Sequence, residues 1–478
     1  MKSLWLASAG ASKYTKYLAS VYRRYRKSLS GDDKFDHDDQ IFEAIRVLLA
    51  NPELRKRWQH HCRHLLVDEF QDITPAYLLM LRLLASPEMN VFGVGDDDQT
   101  IYGYAGADPS MLIDFDYYFP GAGLLALGTN YRCSKGVVNS ASSLLSHNRW
   151  RVQKRVSPAP GASGGGFRVL TLQQRNLASG TARRIAGWVE DGVPAKEIAV
   201  LSRVNVALLP VMAALESRGV PFHSYFREDM LHQRVFVRTV LAWLRMVRSP
   251  HVIMRKDLID TLRLPNRGLA YKIGRLVPEG AVALGALLDV GSRFGPRMRE
   301  RWDRFLSDLG LLSGRFKDGD TVGFLDALYH QVGLVQSATE TGAGGSEVEH
   351  STHSDDLEAL MRTGYIYSQV ADFEANLRDL LGGDHRSGVN ISSVHRVKGL
   401  EWERVVVFGA DEGLFPHRLT DDVEEERRVF HVAITRSRRE TVVISEKGRV
   451  SRFVDEALAG KPPQAATGDL FGDWAQAG

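Results

Sequence analysis

His64-Leu65-Leu66-Val67-Asp68-Glu69-Phe70-Gln71-Asp72 sets a pair of carboxylates at the end of a short apolar run. Such a run reads as a buried parallel strand whose carboxyl end opens into the crevice where open α/β sheets bind ligands. Acids placed there sit where a phosphate would lie. In a nucleotide hydrolase, Asp68 would hold a hydrated Mg²⁺ and Glu69 would polarise the water that attacks the γ-phosphate. Taken alone, the pair reads more simply as an acidic turn after a core strand. A second apolar run, Asn90 to Gly95, ends in Asp96-Asp97-Asp98-Gln99-Thr100-Ile101-Tyr102-Gly103-Tyr104. Two strands that feed polar loops to one edge of a sheet build one site between them.

The elements that must position these residues follow from periodicity. Residues 14 to 50 are helical, with Tyr17, Leu18, Val21, Tyr22 and Tyr25 on one side and Arg23, Arg24, Arg26 and Lys27 on the other. A second helix starts near Asp39, and a further one covers Tyr77 to Ala85. A third strand is expected at Leu124 to Leu127, ahead of Gly128-Thr129-Asn130-Tyr131-Arg132 and another helix. Residues 156 to 166 are a linker by composition, closing a first domain over 1–155. A second α/β domain opens over 167–250, with strands Phe167 to Leu172 and Ile198 to Ser202 and a long helix near Val235 to Val247. Helical patterns alone fill 251–385, which reads as an insertion. The α/β pattern returns over 386–460, with strands Val389 to Val394, Arg404 to Ala410 and Thr441 to Ser445 and a helix from Glu424. The tail 461–478 reads as disordered.

At 478 residues the chain has room for two to four domains, and 44% hydrophobic with 25% charged residues describes an ordinary protein with real cores. Lys+Arg of 61 against Asp+Glu of 58 leaves a net charge of +3, so a groove for nucleic acid must be local. Cys62 and Cys133 have neither metal-ligand spacing nor a disulfide framework, which suits a reducing compartment. No export signal or membrane-length apolar run is visible. The expectation is a cytoplasmic protein without membrane partners.

Five blocks are similar in order and spacing to motifs II to VI of the UvrD/PcrA/Rep helicases of superfamily 1. They are Val67-Asp68-Glu69-Phe70-Gln71-Asp72, Gly95 to Tyr104, Asn130-Tyr131-Arg132, His395-Arg396-Val397-Lys398-Gly399-Leu400-Glu401-Trp402, and Val432-Ala433-Ile434-Thr435-Arg436. The resemblance runs from about residue 20 to 455 and takes in Phe35-Asp36-His37-Asp38-Asp39 and Val200-Leu201-Ser202-Arg203-Val204-Asn205. It implies two RecA-like parallel-sheet core domains, the first incomplete, with a helical insertion in the second that resembles the family's 2B domain. ATP and Mg²⁺ are the implied cofactors, with Asp68 as metal ligand.

The resemblance also assigns roles. Asp68, Glu69, Gln99, Arg132 and Arg436 are the implied catalytic residues: Gln99 senses the γ-phosphate, and Arg132 and Arg436 reach it from the two core domains as arginine fingers do. Glu401, Gly399 and Tyr131 lie on the nucleotide side. Tyr102 and Tyr104 stand where the family stacks bases. Arg203, Asn205, His395 and Lys398 are the implied contacts to the backbone of a single strand. For Arg132 and Arg436 the plainer reading is a surface salt bridge, and for Tyr102 and Tyr104 it is core packing.

Two departures stand out. Motif III has Tyr104-Ala105 where the family commonly carries tryptophan and arginine. A phosphate loop of the form Gly-x-x-x-x-Gly-Lys-Ser/Thr is not found ahead of motif II; Ala9 to Thr15 has one glycine and lies too close. The expectation is therefore a 3′-to-5′ DNA helicase or translocase of repair or recombination, acting on single strands and duplex junctions, in a truncated form or completed by a second chain that supplies the P-loop. A weakened first domain should follow. The rival reading is a non-hydrolysing DNA-binding or regulatory subunit derived from a helicase. Gln464 to Phe471 faintly resembles a sliding-clamp docking peptide.

Overall fold

The computed structural model describes residues 13–32, 34–340, 352–383 and 385–460. The clamp-peptide expectation at 464–471, the tail and Ala9 to Ser12 lie outside them. The chain divides by packing into two compact units, Met1–Leu125 and Ala126–Gly478.

The first unit comprises helices α1 (Lys13–Gly31), α2 (His37–Ala50), α3 (Pro52–His61) and α4 (Pro75–Ala85) and a parallel pair of strands, β1 (Leu65–Val67) and β2 (Val91–Gly93). The helix starts are written locally: Asp36 caps α2 by accepting from the Asp39 N–H at 2.7 Å, and Thr74 caps α4 ahead of Pro75. The core lies on one side of the strands, where Phe70, Ile73, Leu78, Met111, Phe115 and Phe119 are buried together. Phe70 meets Phe115 edge to face at 5.0 Å between ring centres. Leu66 and Phe92 point away from that core and are 78% and 57% exposed. The two strands thus turn one apolar face to the core and carry Leu66 and Phe92 on the other.

The expected strand at Leu124 to Leu127 does not form. Residues 122–128 are irregular, and only Thr129–Asn130 (β3) pairs, with Ser157–Pro158 (β4). An apolar run becomes a strand only when a neighbour takes its backbone hydrogen bonds, and among the described residues none does so here.

The second unit carries a six-stranded, all-parallel sheet in the order β5 (Phe167–Leu172), β12 (Ser437–Glu446), β11 (Trp402–Phe408), β6 (Ile198–Ser202), β10 (Val389–Ser393) and β7 (Phe222–Ser224). Every residue of β6 is buried, as the continuous apolar run of an interior parallel strand requires. The three-residue edge strand β7 was not expected; it is too short to show an apolar pattern. Helices α5 (Lys135–Leu145), α6 (Leu177–Glu190) and α7 (Leu209–Glu216) pack about the sheet, and α8 (Val235–Arg248) leads into the helical segment. That segment holds α9 (Pro296–Lys317) and a two-residue antiparallel pair, β8 (Ile253–Met254) with β9 (Ala281–Val282). It returns through α10 (His353–Gly364), which packs on α7; α11 (Val423–Ile434) and α12 (Arg452–Leu458) complete the unit.

The packing boundary falls ahead of the stretch read as a linker. Helix α5 packs on α11 and α12, so residues 126–155 belong with the second unit. The glycine-rich 156–166 is itself built in. The Gly136 N–H donates to Gly165 O at 2.7 Å and the Thr441 N–H to Gly166 O at 2.6 Å. A Cβ on Gly166, at φ +96°, would lie 2.0 Å from Ser134 Oγ. Composition signalled flexibility where Gly166 provides close approach.

Candidate functional site

In the first unit, β1 and β2 end at the same edge, and the ladder runs on past them. The Val94 N–H donates to Val67 O and the Phe70 N–H to Val94 O, each at 2.8 Å. Between these bonds Glu69 adopts the left-handed region, φ 51° and ψ 41°. A non-glycine residue there is strained, and the strain is held by the burial of Phe70 and Gln71 on its far side. The turn therefore sends Asp68 and Glu69 outward while their successors go inward.

The exposed acids are tied to the second loop. The Glu69 N–H donates to Asp68 Oδ1 at 2.8 Å. Gln71 Nε2 donates to Glu69 Oε2 at 2.5 Å, and Gln71 Oε1 accepts from the Asp96 N–H at 2.9 Å. Asp96 Oδ2 accepts from Gln99 Nε2 at 2.7 Å. Asp68, Glu69 and Gln99 are thus brought to one edge, linked through Gln71 and Asp96. Sequence reasoning did not single out these last two, although both stand within the quoted blocks. Carboxylate oxygens of this kind suit a hard cation such as Mg²⁺. Tyr102 and Tyr104 follow at the same edge, their rings edge to face at 6.0 Å. Burial, then Tyr104, Asp72 and Glu69, push the Tyr102 phenol above its usual pKa, so it stays a neutral donor. Tyr104 is 56% exposed.

The second unit gathers another set at the amino end of β11 and β12. Arg132 Nε lies 2.5 Å from Glu401 Oε2, and Glu401 also meets Arg438 at 3.4 Å, which pairs with Glu197 at 2.5 Å. Burial alone would raise the Glu401 pKa, but the hydrogen bond and charge of Arg132, with those of Arg438, hold it below the usual range. Arg436 is 1% exposed; its Nε donates to Val432 O at 3.0 Å and Nη1 to Leu400 O at 3.5 Å. Gly399, at φ +86°, turns the chain into Leu400 and Glu401. Between the two arginines, burial pushes the Cys133 thiol up to about 11 against the pull of both guanidinium groups, so Cys133 is a packing residue. Tyr131, 83% exposed, flanks the group.

The residues expected along a nucleic-acid backbone lie at the opposite, carboxyl edge of the same sheet. His395 and Lys398 follow β10 and are partly exposed. Asn205 is buried, and its Oδ1 accepts from the Ser393 N–H at 3.0 Å, joining the loops after β6 and β10. Arg203 corrects an expectation. It is buried and paired with Glu426, whose Oε1 lies 2.7 Å from Nη2 and 2.8 Å from Nε. A guanidinium already neutralised inside the domain is a structural tie between β6 and α11, not an open phosphate contact.

Comparison with known proteins agrees with this layout. Residues 2–120 match the UvrD/REP helicase N-terminal domain, and residues 125–266 and 369–448 match the UvrD-like helicase C-terminal domain. The chain is 26% identical over 440 residues to the putative ATP-dependent DNA helicase YjcD of Bacillus subtilis, covering 89% of this chain and 57% of that protein. It is 25% identical over 449 residues to the ATP-dependent DNA helicase PcrA of Staphylococcus epidermidis, covering 89% and 60%. It is also 26% identical over 472 residues to DNA helicase II of Rickettsia typhi, covering 91% and 70%. The chain thus spans about three-fifths of the length of the first two. With both domains of one family matched in order, and the quoted motifs within them, the chain belongs to the UvrD/REP helicase family.

Proposed function

We propose that this chain carries the motor of an ATP-dependent 3′-to-5′ DNA helicase or translocase that moves on single-stranded DNA and opens duplex junctions in repair or recombination. The observation that carries the reading is the linked set Glu69, Gln71, Asp96 and Gln99 at the carboxyl edge of parallel strands. Glu69 takes a proton from the attacking water, and Gln99 reports the γ-phosphate to the loop that carries Tyr102 and Tyr104. Asp68 would hold Mg²⁺, which when bound neutralises phosphate charge. Arg132 and Arg436 stabilise charge on the transferring phosphoryl group, and Glu401, Gly399 and Tyr131 line the nucleotide side. Tyr104 and Tyr102 stack bases, while His395 and Lys398 hold phosphates and Asn205 fixes the loop that carries them.

Strand separation on tailed duplexes tests direction. With ATP, a duplex bearing a 3′ single-stranded tail should be opened and a 5′-tailed one left closed. Equal opening of both, or opening without ATP, contradicts the reading, and tight DNA binding with no opening favours a non-hydrolysing DNA-binding role.

A further inference from the structure

We propose that Gln71 is a positioning residue that couples Glu69 to Gln99, making the base and the phosphate sensor one rigid relay; the proposal rests on the hydrolase reading above. Gln71 is fully buried. Its two polar ends face partners that fix its orientation: the Asp96 N–H can only donate, so it requires the carboxamide oxygen, and the Glu69 carboxylate accepts from the nitrogen. Here one end holds an exposed carboxylate in the site, through a residue whose backbone is already in the left-handed region. The other end holds the backbone of Asp96, whose carboxylate holds Gln99.

Gly95 supports the same conclusion. A Cβ there would lie 2.6 Å from Gln71 Oε1 and 3.1 Å from Gln71 N. The chain keeps no side chain at the one point where the carboxamide crosses between the loops. Glutamate at 71 has the same length and still accepts from Asp96, but as a carboxylate it has no proton to donate to Glu69.

The test is a reciprocal swap. Gln71→Glu should lower kcat for DNA-stimulated ATP hydrolysis about 100-fold while KM for ATP stays within about twofold, the signature of a misplaced group rather than lost binding. Gly95→Ala, which crowds the carboxamide together with Leu112 and the Gln71 backbone, should reproduce the kcat loss in part. Gln71→Glu should also lower Tm by about 3 °C or more, and the double variant Glu69→Gln/Gln71→Glu, which restores an amide–carboxylate pair with its ends exchanged, should recover most of that loss while its turnover stays at the Glu69→Gln level. A swap no more stable than the two single changes predict overturns the contact. Wild-type kcat in Gln71→Glu overturns the positioning role. Failure of the underlying reading looks different: the wild type then shows no DNA-stimulated hydrolysis, or Glu69→Gln hydrolyses as the wild type does, whatever the swap does to Tm.

Discussion

Arg132 and Glu401, far apart in sequence, form a salt bridge of 2.5 Å between Nε and Oε2, and Arg438 reaches the same carboxylate. Both partners are about one-third exposed, so the pair contributes within about 1 kcal/mol. Because the Glu401 pKa is depressed in the folded state, that contribution is present above the ordinary carboxylate pKa and is lost as pH falls through the folded value. Glu401→Gln should therefore lower Tm slightly at neutral pH, with the gap closing in acid below pH 4.5, the ordinary value. A gap that widens on acidification would contradict the pairing.

Arg203 and Glu426 form a buried pair, and removing one partner strands the other's charge. Glu426→Ala and Arg203→Ala should each cost about 3–5 kcal/mol in urea unfolding. An Arg203→Ala protein of unchanged stability and weakened DNA binding would return Arg203 to the nucleic-acid surface.

Arg436 is held by carbonyls of Val432 and Leu400 at the end of α11. Lysine keeps the charge but loses the planar fork that holds both carbonyls. Arg436→Lys should lower kcat for ATP hydrolysis by about 1,000-fold or more, in the range of an arginine finger. Steady-state kinetics with nucleotide affinity measured in parallel separates this from lost binding; a pure KM effect would remove Arg436 from the transition state.

Tyr104 is the more exposed of the two ring residues, at 56% against a half-buried Tyr102. Tyr104→Ala should weaken single-stranded DNA binding by about 1–3 kcal/mol, Tyr104→Trp should restore it, and neither should move Tm by more than about a degree. Fluorescence anisotropy with an oligonucleotide reads the affinity; unchanged binding in Tyr104→Ala would mean the ring does not stack bases.

How much of this was legible in sequence depended on whether a signal was local. Strands Phe167–Leu172 and Ile198–Ser202 were read with their observed limits because their apolar and β-branched residues are written within each segment. The acid pair Asp68-Glu69 was legible because an apolar run stops at it. Leu124 to Leu127 looked like a strand for the same local reasons, but strand formation depends on a partner that sequence does not display. Arg203 looked like a surface cation because its partner, Glu426, lies more than two hundred residues away. Gln71 was passed over because an uncharged residue gains its meaning only from what its two ends touch. Gly166 was read as freedom, whereas its role is set by Ser134 Oγ and Arg439 O, which pass close by.

The central claim is that Glu69 is the base of a DNA-driven ATP hydrolase, and ATP turnover by the purified protein with and without single-stranded DNA, in wild type and Glu69→Gln, tests it most directly. The prediction is a wild-type rate raised by the DNA and a Glu69→Gln rate lower by about 100-fold or more, with ATP still bound. Equal turnover in the two proteins, or none in the wild type under DNA saturation, would contradict it.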